Sequence, residues 1–161
     1  MTRNDFICGT WMNHKILLWP ALEMTKHLKL PVLELGSGHY STQFLRKYCL
    51  DEGLEFFSYD YNEQWAKDTG AVYVSDWENI PWRKDWGVVL VDESPGEHRK
   101  ISLSKLHHAQ IVIAHDTEIV GAGDYQMRPE IEKYKSYLDY KTDAAWATAM
   151  SDFHDVSKLE I

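Results

Sequence analysis

Cysteine is scarce: Cys8 and Cys49 are the only two in 161 residues. That is too few for a disulfide framework, so both are expected as free thiols in a reducing compartment. No apolar stretch reaches the roughly 18 residues of a membrane-spanning helix. No apolar signal-peptide core follows Met1-Thr2-Arg3-Asn4-Asp5, and a soluble, cytoplasmic protein is expected. Positive charge is in deficit. Lys and Arg number 17 against 25 Asp and Glu, a formal net charge of −8. That argues against nucleic acid as a partner, because phosphate binding needs a basic surface. Internal repeats, linkers and low-complexity segments are missing as well. The length suits one domain over residues 1–161, opening with a helical segment over residues 1–30. That segment offers a contact for a homodimer.

What is present centres on residues 31–42, Pro-Val-Leu-Glu-Leu-Gly-Ser-Gly-His-Tyr-Ser-Thr. A short apolar run predicts a buried strand over Val32–Leu35. Gly36 and Gly38 allow a sharp turn and close approach to a ligand. Ser41 and Thr42 favour a helix start, whose free amides suit a polar ligand. The spacing of Phe44, Leu45 and Tyr48 predicts a helix over Ser41–Cys49, ended near Gly53. Ahead of it, Ile16, Leu17, Trp19, Leu22 and Met24 predict a leading helix between Asn13 and Leu28, with Pro20 either kinking it or starting a second one.

Further strands are expected at Glu55–Tyr59, Ala71–Val74, Gly87–Val91 and Gln110–Ala114. Helices are expected at Glu63–Asp68, Arg99–His107 and Pro129–Tyr134. Continuous apolar strands alternating with helices indicate a parallel sheet covered on both faces. Ser136–Lys141 and Ala145–Ser151 lie too close for a crossover helix and predict an antiparallel hairpin. The fold class is therefore α/β, a Rossmann-like three-layer sandwich whose mostly parallel seven-stranded sheet ends in that hairpin. The tail from Asp152 carries no signal.

Ligands of open α/β sheets bind outside the carboxyl ends of the strands, and polar residues recur there. Glu34 precedes the glycine turn, where it can order the loop and face a cationic group. Asp60, 24 residues after Gly36, can accept from both hydroxyls of a ribose, with Tyr61 beside it. Asp76 and Trp77 are placed to hold an adenine, by carboxylate and ring. Asp92 ends the fourth strand, and His115 and Asp116 end the fifth. The cofactor-binding set is thus Glu34, Gly36, Ser37, Gly38, Ser41, Thr42, Asp60, Tyr61, Asp76, Trp77 and Asp92.

Glu34-Leu-Gly36-Ser-Gly38, with Asp60 in place, resembles the first motifs of class I S-adenosylmethionine-dependent methyltransferases. Their third glycine is Tyr40 here. The resemblance covers about residues 13–151. It implies S-adenosylmethionine as cofactor and methyl transfer as the reaction. Residues 85–92 and 111–123 are also similar to the metal-binding segments of catechol-type O-methyltransferases. That likeness implies Mg²⁺ on Asp92 and Asp116, with Thr117 where those enzymes have Asn. Hard cations favour such oxygen ligands.

Methyl transfer requires alignment of the nucleophile with the S–CH₃ bond and removal of its proton. Asp92, His115 and Asp116 are the catalytic candidates, with His14, His39 and His98 as alternatives. Glu97-His98-Arg99-Lys100 reads as a solvated helix start, with Arg99 also able to bind an acidic substrate, and His107-His108 as a helix end. The acidic balance favours a small hydroxylated substrate. Two other readings stay open: a non-catalytic nucleotide-binding module, and a nicotinamide-dependent oxidoreductase. Against the latter, the acids ending the fourth and fifth strands would repel a phosphate-bearing half.

Overall fold

The structure, a computed structural model, describes residues 14–119 and 124–161. Cys8, Trp11, Gly121 and Gly123 lie outside the described residues, as do residues 1–13 of the segment expected to serve a dimer contact. Helix α1 spans Lys15–Thr25 with Pro20 inside it, and continues as a 3-10 turn, Lys26–Leu28. Strand β1 is Val32–Leu35, and all four residues are buried. Helix α2 runs Ser41–Glu52, longer than its apolar spacing implied. It stops where Gly53 takes a left-handed conformation, φ +66°. Strand β2 is Phe56–Asp60 and helix α3 is Glu63–Thr69. Asn62 caps α3 by accepting from the Trp65 N–H at 2.9 Å. Strand β3 is cut to Val72–Tyr73. Strand β4, Val88–Val91, is fully buried; helix α4 is Arg99–Lys105 and strand β5 is Ile111–His115. Helix α5, Arg128–Ile131, precedes the hairpin of β6, Ser136–Lys141, and β7, Trp146–Ser151.

The seven strands lie in the order β3-β2-β1-β4-β5-β7-β6. β1 to β5 are parallel, while β7 runs antiparallel to both β5 and β6. Alternate residues of each central strand point to opposite faces. Val32, Val88 and Ile111 meet Leu17, Leu18 and Leu45 of α1 and α2. Leu33, Val89 and Val112 meet Trp86, Leu103 and Leu106 on the other face. Covering both faces is what keeps these strands uniformly apolar. The tail is not inert: Val156 and Leu159 complete the α1 face. Among the described residues, no helix is long and apolar enough to cross a membrane.

The chain reverses direction across the sheet between β1 and β4. Their register pairs Leu35 with Val91, and the Asp92 N–H donates to the Leu35 carbonyl at 2.8 Å. Gly36 and Asp92 therefore leave the sheet side by side, opening the crevice in which such sheets bind ligands.

Candidate functional site

Gly36 adopts φ +83°, and a Cβ there would lie 2.2 Å from the Asp92 carbonyl oxygen. Only glycine permits this turn. The loop it starts is fixed by two carboxylates. Asp60 Oδ2 accepts from the Ser37 N–H at 2.7 Å and the Ser37 hydroxyl at 2.8 Å, and its Oδ1 accepts from the Asn62 N–H at 2.8 Å. Glu34, fully buried beneath the turn, accepts at Oε2 from the hydroxyls of Thr42 and Ser58 at 2.7 and 2.6 Å. Thr42 Oγ1 in turn accepts from the Gly38 N–H at 2.9 Å. Glu34 Oε1 is buried and unpartnered among the described residues. Burial pushes the Glu34 carboxyl up to about 7; hydrogen bonds from Ser41, Ser58 and Thr42 oppose the rise, and the charge of Asp92 adds to it.

The resulting cleft, about 480 Å³, is lined by Gly36, Ser37, Asp60, Asn62, Trp65, Asp92 and Ser94 among others. Its size is ordinary for a ligand site. Trp65 forms one wall. Its indole N–H donates to the Ser37 carbonyl at 2.6 Å, and its ring meets His39 edge-on with centroids 4.6 Å apart.

Across the switch point the chemistry changes. Arg99, only 6% exposed, reaches from α4 into the ends of β4 and β5. Its Nη2 pairs with Asp92 Oδ1 and its Nη1 with Asp116 Oδ2, each at 2.9 Å. Its Nε donates to the Glu93 carbonyl and its Nη1 to the His115 carbonyl, again at 2.9 Å. His115 Nδ1 lies 3.3 Å from both Asp92 Oδ1 and Asp116 Oδ1. His14, from the start of α1, meets His115 edge-on with centroids 5.0 Å apart. Burial opposes charge on both Asp92 and His115, but their mutual attraction outweighs it. Asp92, aided by Arg99 and His14, is held below the usual carboxylate range, and His115, aided by Asp116, above the usual imidazole range. His14 lacks such a hydrogen bond, and burial pulls it down to about 4, with Asp92 opposing.

The structure thus gathers Gly36, Ser37, Asp60 and Asp92 at the cleft and places Glu34, Gly38, Ser41 and Thr42 in the supporting loop. Tyr61 stands half exposed beside Asp60. Four expectations are corrected. Trp77 is 3% exposed and packs in the core, so it has no face for an adenine, and Asp76 caps its turn by accepting from the Glu78 N–H at 2.9 Å. Asp92 and Asp116, expected to hold Mg²⁺, hold the Arg99 guanidinium instead, and Thr117 is buried in a hydrogen bond with Thr148 at 2.8 Å. Arg99 is consequently no solvated helix residue. Asp60 cannot serve two ribose hydroxyls as it stands: a carboxylate has about four acceptor sites, and three are filled. Of the unforeseen residues, Trp65 carried the one available signal, an aromatic side chain a turn beyond the β2 acid.

No protein-family model matches the chain, and no curated protein matches its sequence. Solved structures do match its fold. The bifunctional kinase-methyltransferase WbdD superposes with TM-score 0.55 at 18% identity, over 84% of this chain and 38% of that one. A human methyltransferase 10 domain containing protein gives 0.56 at 15% identity, over 92% and 84%. The methyltransferase domain of METTL16 gives 0.54 at 12% identity, over 91% and 85%. This chain has the class I methyltransferase fold. It spans about two fifths of the length of WbdD. In open α/β sheets ligands sit outside the carboxyl ends of the strands at the switch point, where this cleft lies.

Proposed function

We propose that this chain binds S-adenosylmethionine in the cleft at the ends of β1, β2 and β4 and transfers its methyl group to a hydroxyl of a small molecule. The observation that carries the reading is the glycine turn, with Gly36 pressed against Asp92 and Asp60 drawn in beneath Ser37, at the switch point of a methyltransferase fold. The residues fit such a ligand. Glu34 Oε1, buried and unpartnered, suits a cationic end. One acceptor position left on Asp60 suits a ribose hydroxyl, and Trp65 supplies an aromatic wall. The bound cofactor would supply an already activated methyl group. The protein then needs only to hold the acceptor in line and take its proton. Asp92, His115 and Asp116 are the groups assigned to that proton, and Arg99 fixes both acids in place. The net charge of −8 favours a small acceptor; one fold neighbour, METTL16, was solved with an RNA hairpin. Mg²⁺ has no part in the reading: Thr117, which stands where the third oxygen ligand would be, is taken up by Thr148.

A second reading rests on Asp60. Three of its acceptor positions are filled by the protein itself, so the loop is held without help from a ligand, as in a module whose role is binding alone. Calorimetric titration with S-adenosylmethionine, S-adenosylhomocysteine and NAD, followed by turnover with hydroxyl acceptors, separates the readings. Micromolar binding of both adenosyl ligands, none of NAD, and methylation of an acceptor are expected. Asp60→Ala should weaken that binding by about 1–3 kcal/mol. Binding without turnover on any acceptor favours the module, and binding of NAD alone overturns both readings.

A further inference from the structure

We propose that His14, Asp92 and His115 form a binding site for a divalent cation of the zinc class. Each residue offers one ligand atom, and these atoms all lie within 4.8 Å of one another. Imidazole nitrogen and carboxylate oxygen are donors that Zn²⁺ takes at about 2.0–2.2 Å, so gathering them around one ion needs side-chain shifts of roughly 1 Å. The set differs in kind from the oxygen-only pair expected for Mg²⁺. Two imidazoles select a softer, borderline metal.

The independent observation is at His14. The residue is 4% exposed, and neither of its ring nitrogens has a hydrogen-bond partner among the described residues. His115 Nε2 is buried and unpartnered in the same way. A polar atom buried without a partner is costly, and a metal ion would use the lone pair left idle. The surroundings suit an ion. Asp92 Oδ1 and Asp116 Oδ1 both stand 3.3 Å from His115 Nδ1, which leaves Nε2 as the open nitrogen of that ring. Arg99 pairs with Asp92 through Oδ1, which leaves the Oδ2 of that carboxylate outside the pair. Asp92 also lines the cleft, which gives such an ion access to a bound molecule. With the ion in place, His115 acts as a ligand and not as a base.

The site stands independently of the cofactor reading, and its test needs no cofactor. The full chain is dialysed to equilibrium against Zn²⁺ alone, and in parallel against Co²⁺, whose visible bands report nitrogen and oxygen ligation. One ion per chain is expected, with affinity falling about tenfold or more in His14→Leu, His115→Ala and Asp92→Asn. Circular dichroism checks that each variant folds. Asp92→Asn keeps the side-chain shape should His14→Leu not fold. Titration of His14→Leu with S-adenosylmethionine reads the cleft separately, because Asp92 itself lines it. Lack of a stoichiometric ion in the unaltered chain overturns the proposal. So does full affinity in a folded His14→Leu or Asp92→Asn variant, which would place the ion elsewhere.

Discussion

The two halves of the site are built on opposite principles. Around β1 and β2, carboxylates are met by neutral donors from their own neighbourhood: Asp60 by Ser37 and Asn62, Glu34 by Thr42 and Ser58. That half is a lattice of hydrogen bonds under a turn that tolerates no side chain, left open at Glu34 Oε1. At the ends of β4 and β5, charges face charges, and three imidazole nitrogens, both of His14 and Nε2 of His115, have no partner among the described residues. The first half has the character of a mould and the second that of a reactive surface. Dense hydrogen-bond networks rigidify a protein, whereas unsatisfied buried groups, one carboxylate oxygen in the first half and imidazole nitrogens in the second, are where ligands can gain most.

The comparison can be broken by substitution. The largest effect is expected from Gly36→Ala, which forces a Cβ against the Asp92 backbone at positive φ. Overpacking and strain together should cost about 3–5 kcal/mol in chemical denaturation. A loss below about 1 kcal/mol would show the turn to be pliable rather than moulded.

The next effect comes from Glu34. Its folded carboxyl, raised to about 7 from an ordinary 4.5, keeps its proton where the unfolded chain has lost it. Below pH 4.5 both states are protonated and the preference contributes fully. Stability then falls as pH rises from about 4.5 to 7 and levels off above. The total is about 3 kcal/mol, at 1.36 kcal/mol per pH unit. Denaturation midpoints across that range should lose this component in Glu34→Gln. An unchanged pH dependence would place the titration elsewhere.

The smallest effect tests the reactive half from the other side. His14→Leu removes a buried, unpartnered imidazole, and in metal-free buffer should raise stability by about 1 kcal/mol. A loss of that size instead would mean the imidazole is satisfied after all.

Much of the scaffold was legible because it is written in local patterns. Strand starts and ends read from apolar runs agree with the structure to within one or two residues, and the hairpin after residue 134 follows from spacing alone. Asp60 stands at the end of the second strand as its spacing implied, but its hydrogen bonds to Ser37 and Asn62 could not be read from spacing. Trp77 was misread because sequence does not reveal which way an aromatic ring turns at the end of a strand, and here the core claimed it. Arg99 looked solvent-facing among charged neighbours, yet one helical turn aims it inward at acids 7 and 17 residues away in the chain. His14 is 101 residues from His115. No periodicity connects them, and only the packing of α1 against the sheet brings them together.

Arg99 also has a mechanical consequence. With four contacts, to Asp92, Asp116 and the carbonyls of Glu93 and His115, one planar group ties together two loops that leave different strands. A guanidinium cannot flex within its plane, so the loops cannot slide past each other while it holds. Any displacement of α4 must carry both acids together, as one jaw. The two strand ends therefore have, at this point, a single shared degree of freedom, and its handle is on the far side of the sheet from α1.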